Sequence, residues 1–242
     1  MSGSHHETSG DGATPLGGNA FLGSAMMPVD GTAFRVHVLC WPSMPTAWRS
    51  LAQAWESVGG WRSTLETTAK RQTDSWIAAC APQLGWPFRG TTAEESTIAA
   101  ILRRTAMCLA VSVLDGAQVA SADRRQGLLH CLSAYDKYVR VPGRRSCGVL
   151  ISRRDAADTD AFTDAFIHCR KRLPDAEWLR HMELRSWSTP IEPLPLEAAH
   201  VIATSIARYR RDKDVENPVV DAIRAKLTHP LDLLVKVPKK RH

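Results

Sequence analysis

The pattern of apolar and polar positions is clearest between Leu194 and Arg211. Leu194, Ala198, Ala199, Ile202, Ala203 and Ile206 recur at helical spacing and form an apolar face. Pro195 suits the first turn, where its fixed φ is compatible with the helix and no N–H is missed. Glu197, His200, Thr204, Arg208 and Arg211 fall three or four apart and form one polar stripe. That stripe is either a solvated face or the wall of a groove that binds something.

The same reading along the chain predicts the other elements. Residues 1–19 are rich in Gly, Ser and Thr, carry no apolar period and read as a flexible segment. Strands are predicted at Ala20–Val29 and Phe34–Trp41, joined by the turn pair Asp30-Gly31. In the second strand Val36, Val38 and Cys40 alternate with Arg35, His37 and Leu39. A helix follows Pro45, with Thr46 as N-cap and Trp48, Leu51, Ala52 and Trp55 on one face; Gly59-Gly60 ends it. A second helical region spans about Ser63–Ala81. Thr92 and Glu95 form a capping box that opens a helix through Ile98, Ile101 and Leu102.

The apolar run Cys108–Leu114 predicts a central strand ending at Asp115. Next comes a helix from Ser121 with Leu128, Leu129, Leu132, Tyr135 and Val139 inward, broken at Pro142-Gly143. Cys147–Ser152 predicts a short buried strand. A helix with Phe162, Ala165, Phe166, Cys169 and Leu173 inward follows it, and a strand from about Arg180 to Trp187 leads to the helix at Leu194. Asn217-Pro218 opens a last helix with Val220, Ile223 and Leu227 inward. This order, a hairpin and helices followed by alternating strands and helices, predicts an α/β domain with a central mixed sheet flanked by helices. The expected organisation is a flexible segment 1–19, one α/β domain over 20–211, and a C-terminal helix and basic tail over 212–242.

Composition adds limits. A chain of 242 residues with 44% hydrophobic and 23% charged residues is ordinary for a soluble single domain. It has no run near the roughly 20 apolar residues of a membrane span, nor an opening signal region, so a cytoplasmic location and no membrane partner are expected. The six Cys are scattered with no Cys-x-x-Cys pair, which favours small buried residues over a zinc site. Six of the eight Trp fall between positions 41 and 86, and their helical spacing favours core packing over base stacking. Residues 1–100 carry 6 Lys/Arg against 8 Asp/Glu, whereas residues 101–242 carry 25 against 17. A basic second half fits a polyanion such as RNA or DNA, or a solvated Arg-rich surface.

Short motifs carry a resemblance. Leu196-Glu197-Ala198-Ala199-His200-Val201-Ile202-Ala203 resembles the closing motif Leu-Gln-x-Ala-Asp-Leu-x-Ala of the domain of unknown function 3800 family. Ser188 and Pro190 sit where that family has its Ser and Pro-rich linker. Glu7-Thr8-Ser9-Gly10-Asp11 is similar to its opening Asp-Glu-Ser-Gly-Asp. The resemblance implies a ribonuclease H-like fold and carboxylates that hold divalent metal, Mg²⁺, for phosphodiester cleavage. It puts Glu7 at the first catalytic position, Ser152 at a second with Asp155 three residues on, and His200 at the closing Asp.

Hydroxyl and imidazole are poor ligands for a hard cation. The expected function is therefore nucleic-acid binding at a degenerate metal site, with Arg153, Arg154, Arg208 and Arg211 as phosphate contacts, in a subunit of a larger nucleoprotein or defence complex that brings protein partners. One alternative is a metal-dependent nuclease using Glu7, Asp155 and His200 as catalytic residues, with Asp115 and Asp155 as metal ligands. A second alternative is a protein-interaction scaffold.

Overall fold

The computed structural model describes residues 18–29, 32–57, 92–115, 121–153, 159–187, 193–211 and 216–228. The predicted helix at Ser63–Ala81, the Asp30-Gly31 turn pair and the basic tail lie outside the described residues. So do four of the eight Trp side chains, at 55, 61, 76 and 86.

Five strands form one mixed sheet: β1 Asn19–Val29, β2 Thr32–Pro42, β3 Met107–Asp115, β4 Val149–Arg153 and β5 Glu183–Trp187. Their spatial order is β3-β2-β1-β4-β5. β2 runs antiparallel to both β1 and β3, while β4 is parallel to β1 and β5 is parallel to β4. The hairpin register closes on Val29 opposite Thr32, with two residues between them in the chain. The α-helices among the described residues are α1 Ala47–Ser57, α2 Thr92–Arg104, α3 Ser121–Val139, α4 Thr159–Arg172, α5 Glu177–His181, α6 Leu194–Arg211 and α7 Pro218–Ile223.

Strand alternation sorts the side chains into two cores. Phe21, Val36, Val38, Leu109, Val149 and Ile151 face α1, α2, α6 and α7. Ala20, Leu22, Leu39, Trp41, Ala110 and Leu150 face α3, α4 and α5. Helices thus cover both faces, as a sheet whose strands are apolar on both sides demands. On the second face Trp41 meets Tyr135 edge-on at 4.8 Å, and Tyr135 meets Trp178 edge-on at 4.8 Å. The Tyr135 hydroxyl accepts the Cys147 backbone N–H at 2.6 Å, which ties α3 to the segment leading into β4. Trp41 and Trp48 are both buried, as core packing of the aromatics predicts.

The helix that dominates the sequence pattern is deeply enclosed. The six apolar positions read from its period are all buried, and so are Leu196, Val201, Ser205 and Ala207. It is enclosed because it lies on β1 and β2 while α1 and α7 pack beside it. Its approach to β1 is so close that a Cβ on Gly23 would lie 2.3 Å from the Ala199 carbonyl carbon and 2.5 Å from the His200 nitrogen. Gly127 plays a similar part on the other face, where a Cβ would meet the His37 ring.

Two boundaries differ from the sequence reading. Arg180 and His181 belong to helix α5, and the strand begins at Glu183. Ala176, Leu179 and Met182 are all buried, and that spacing of three holds a helical turn on the second core. The last helix also belongs to the domain. Asn217 caps α7 by accepting from the Val220 N–H at 3.1 Å, as its position before Pro218 predicts. Val219, Val220 and Ile223 then enter the first core, and Leu227 bridges to Leu109 of β3. No described helix is long and apolar enough to cross a membrane.

Candidate functional site

In a sheet of this kind ligands commonly sit beyond the carboxyl ends of the parallel strands, where the connections diverge to opposite faces. Here that place is the end of β1 and β4, between α3 on one face and α6 on the other. Leu22 is paired with Ser152, so β4 stops one residue later at Arg153 while β1 continues to Val29. Among the described residues no strand therefore lies beside the edge of β1 beyond Leu22 on that side.

His200 fills this gap. Its Nδ1 lies 3.3 Å from the Ser24 backbone nitrogen and 3.2 Å from the Ser24 carbonyl oxygen. According to tautomer, Nδ1 accepts the Ser24 N–H or Nδ1–H donates to the carbonyl. Either bond satisfies a backbone group that would otherwise lose water without gaining a partner. The polar stripe thus begins with a side chain that seals a sheet edge.

Arg208, read as a phosphate contact, is held by the protein instead. Its Nη1 donates to Glu95 Oε1 of α2 at 2.9 Å, and the Glu95 side chain is only 10% exposed. The Glu95 carboxylate, predicted in the capping box, joins α2 to α6 through this contact. Arg211, the last residue of α6, is exposed, with Nη1 3.4 Å from the Met27 sulfur. Arg35, opposite Met26 on β2, brings a further guanidinium to this end of the sheet. Arg153 is half-buried at the tip of β4.

Glu7, Arg154 and Asp155 lie outside the described residues. Asp115 is the last residue of β3, and its backbone is paired with Phe34 of β2. β3 is two strands from β1, a lateral distance of about 10 Å, so the backbones of Asp115 and His200 do not meet at one point. Among the described residues no group of three or more His, Cys, Asp or Glu comes together. Near the end of β4 the described polar groups are Ser24 and Ser152, on the α3 face, and His200, on the α6 face; neither hydroxyl nor imidazole suits Mg²⁺, and the sheet separates them.

A polar row missed in the sequence lies under α3. Ser24, His37 and Ser112 are register neighbours across β1, β2 and β3, on the face opposite α6. His37 and Ser112 are both buried. His130 of α3 lies over Ser112, with Nδ1 3.4 Å from Oγ, and the Gln126 amide is 2.7 Å from its Nε2. With the amide donating to Nε2, Nδ1–H points at Ser112, which is a neutral imidazole. Burial lowers the His130 pKa below its ordinary value and favours the same form. The signal in the sequence was a polar side chain at alternate positions of otherwise apolar strands. Ser152 lies on this face too, with its buried Oγ unpartnered among the described residues.

The described cysteines do not supply a reactive thiolate. Burial pushes Cys131 and Cys169 up to about 12 and Cys147 up to about 11, while Cys40 is raised further still. All five are free thiols, and four of them are fully enclosed.

Compared with known proteins, the chain matches no family model, no curated protein and no solved structure.

Proposed function

We propose that the protein is a non-catalytic nucleic-acid-binding domain with a ribonuclease H-like fold, as its likeness to the domain of unknown function 3800 family suggested. The strand order β3-β2-β1-β4-β5, with β2 alone reversed, supports that fold. So does the placement of the helix after β5 against β1, which is where a ribonuclease H-like site would draw its last ligand. The observation that carries the functional reading is the chemistry at the ends of β1 and β4. Among the described residues Ser24, Ser152 and a backbone-bound His200 stand there and no carboxylate does, while Arg153 ends β4 and Arg35 and Arg211 lie at Met26 and Met27 farther along β1. Such a surface does not repel phosphate, and guanidinium and hydroxyl groups hold a nucleic-acid backbone without a metal.

The test is fluorescence polarisation with labelled single-stranded and duplex RNA and DNA over a range of salt. Arg153→Ala with Arg211→Ala should weaken binding similarly across sequences. Each lost phosphate contact should reduce the slope of log K against log salt by about 0.7–0.9. An unchanged slope would refute this groove. Mg²⁺-dependent cleavage that Asp155→Ala abolishes in a folded protein would refute the non-catalytic assignment and restore the nuclease alternative.

A further inference from the structure

A cavity of about 1110 Å³ opens at the other end of the sheet, where β1 begins and β2 ends. Its floor is apolar and aromatic, built from Phe21, Trp48 and Leu194, with Tyr138 on one wall. Phe21 and Trp48 meet edge-on at 5.5 Å, and the Trp48 indole N–H donates to the Asn19 carbonyl at 3.1 Å, so this floor is fixed.

Three arginines line the same cavity, Arg49 from α1 and Arg144 and Arg145 from the segment between α3 and β4, and no Asp or Glu is among its described lining residues. All three are exposed. Among the described residues none of them has a carboxylate partner, in contrast to Arg140, Arg185, Arg208 and Arg224. Arg144 is oriented nonetheless. Its guanidinium lies 4.8 Å over the Tyr138 ring, with Nη1 3.3 Å from the Tyr138 hydroxyl. The first turns of α1 and α6 also border the cavity, and their dipoles add to the positive potential.

We propose that this cavity is a binding site for a nucleotide, a ligand that joins a phosphate to a planar ring. Three guanidiniums with no carboxylate partner among the described residues line one cavity, and Arg suits phosphate because its planar fork donates two parallel hydrogen bonds. The apolar lining, in which half-buried Tyr138 is the most accessible ring, has no use for phosphate alone but accommodates a base. The volume exceeds what one oxyanion fills and reaches the upper range of small-ligand sites. The nucleotide is either free or the phosphorylated end of a strand, since the recognising chemistry is the same. The site stands apart from the β1/β4 groove and does not depend on it.

Calorimetric titration of the full chain tests the assignment. The probes are the four ribonucleoside 5′-monophosphates, the corresponding nucleosides, inorganic phosphate, and a short single-stranded oligonucleotide with or without a 5′-phosphate. At least one monophosphate should bind with a Kd below about 1 mM, and more tightly than its nucleoside or inorganic phosphate. Arg49→Glu and Arg145→Glu should each weaken it about tenfold or more, because each replaces a charge-assisted contact by repulsion. Neither arginine has a side-chain partner among the described residues to lose, so the thermal midpoint should hold. Arg185→Ala, at an ion pair elsewhere, should leave binding unchanged. Preference for the 5′-phosphorylated oligonucleotide over the monophosphate identifies a strand end as the source; the reverse identifies the free nucleotide. Absence of binding by every probe, equal affinity for phosphate and nucleotide, or full affinity in both charge-reversed variants would overturn the assignment. Arg153 and Arg211 variants should not affect this site, which separates its failure from failure of the groove.

Discussion

Gly23 is where the fold should be least tolerant of a small change. An alanine there would set its Cβ 2.3 Å from the Ala199 carbonyl carbon, 2.5 Å from the His200 nitrogen and 2.6 Å from the Ala199 oxygen. Carbon atoms in packed interiors sit about 3.5–4.0 Å apart, so α6 would have to recede from β1 by about 1 Å or more. The obstructing atoms are helix backbone, which cannot swing aside as a side chain would. The same displacement lengthens the contact between His200 and Ser24 and loosens both sides of an enclosed helix. Overpacking typically costs about 1–3 kcal/mol, and rigid backbone puts this case at the top of that range, about 3 kcal/mol.

In urea denaturation followed by circular dichroism, Gly23→Ala should lower the midpoint by that energy with little change in slope. In thermal melts the same energy corresponds to a fall of about 6–12 °C for a chain of this size. Gly148→Ala is the matched control: an added Cβ there meets nothing within 4 Å, and its stability should stay within about 0.5 kcal/mol of wild type. A Gly23→Ala protein as stable as the Gly148→Ala protein would refute the direct seating of α6 on β1.

The polar side chains on α6 should divide into structural and surface groups. Arg208→Ala strands the Glu95 carboxylate and should cost about 2–3 kcal/mol, less than a fully buried pair because the Arg208 side chain is 30% exposed. Arg211→Ala should change denaturation midpoints by no more than about 0.5 kcal/mol; equal costs for the two would contradict the ion-pair reading. His200→Ala should cost about 1–3 kcal/mol by orphaning a Ser24 backbone group, and His200→Asn should restore part of it by supplying an amide near Nδ1. No rescue by Asn, measured in the same denaturation series, would argue against an edge-sealing histidine. His130 sets a pH dependence. Its folded pKa lies below its ordinary value of 6.5, so the unfolded chain binds the proton first. Its contribution should be constant well above pH 6.5, weaken as pH falls through that value, and level off below the folded pKa. His130→Gln should flatten the acid limb of stability against pH, and an unaltered limb would show that other groups carry it.

Much of the fold was legible in the chain because it depends on neighbours in sequence. The period of α6, the two-residue link between β1 and β2, the apolar run of β3 and the Asn217-Pro218 cap are set by local sterics and by burial of one face. Distant partners decided the meaning of the polar residues. Arg208 and Glu95 are 113 positions apart, and His200 and Ser24 are 176 apart. Nothing in the helical spacing of Glu197, His200, Thr204, Arg208 and Arg211 separates a stripe that binds phosphate from one that closes the protein's own gaps. The strand register does, because β4 stops at Arg153 and leaves the edge of β1 for a side chain to seal. The cavity with Arg49, Arg144 and Arg145 was likewise hidden, since it gathers residues from the start of α1, the approach to β4 and the start of α6. A hydrophobic pattern specifies which side chains leave water; which polar groups then face one another depends on how the layers are stacked. Hydrogen bonds and ion pairs act only at contact distance, so their partners are chosen by the tertiary packing.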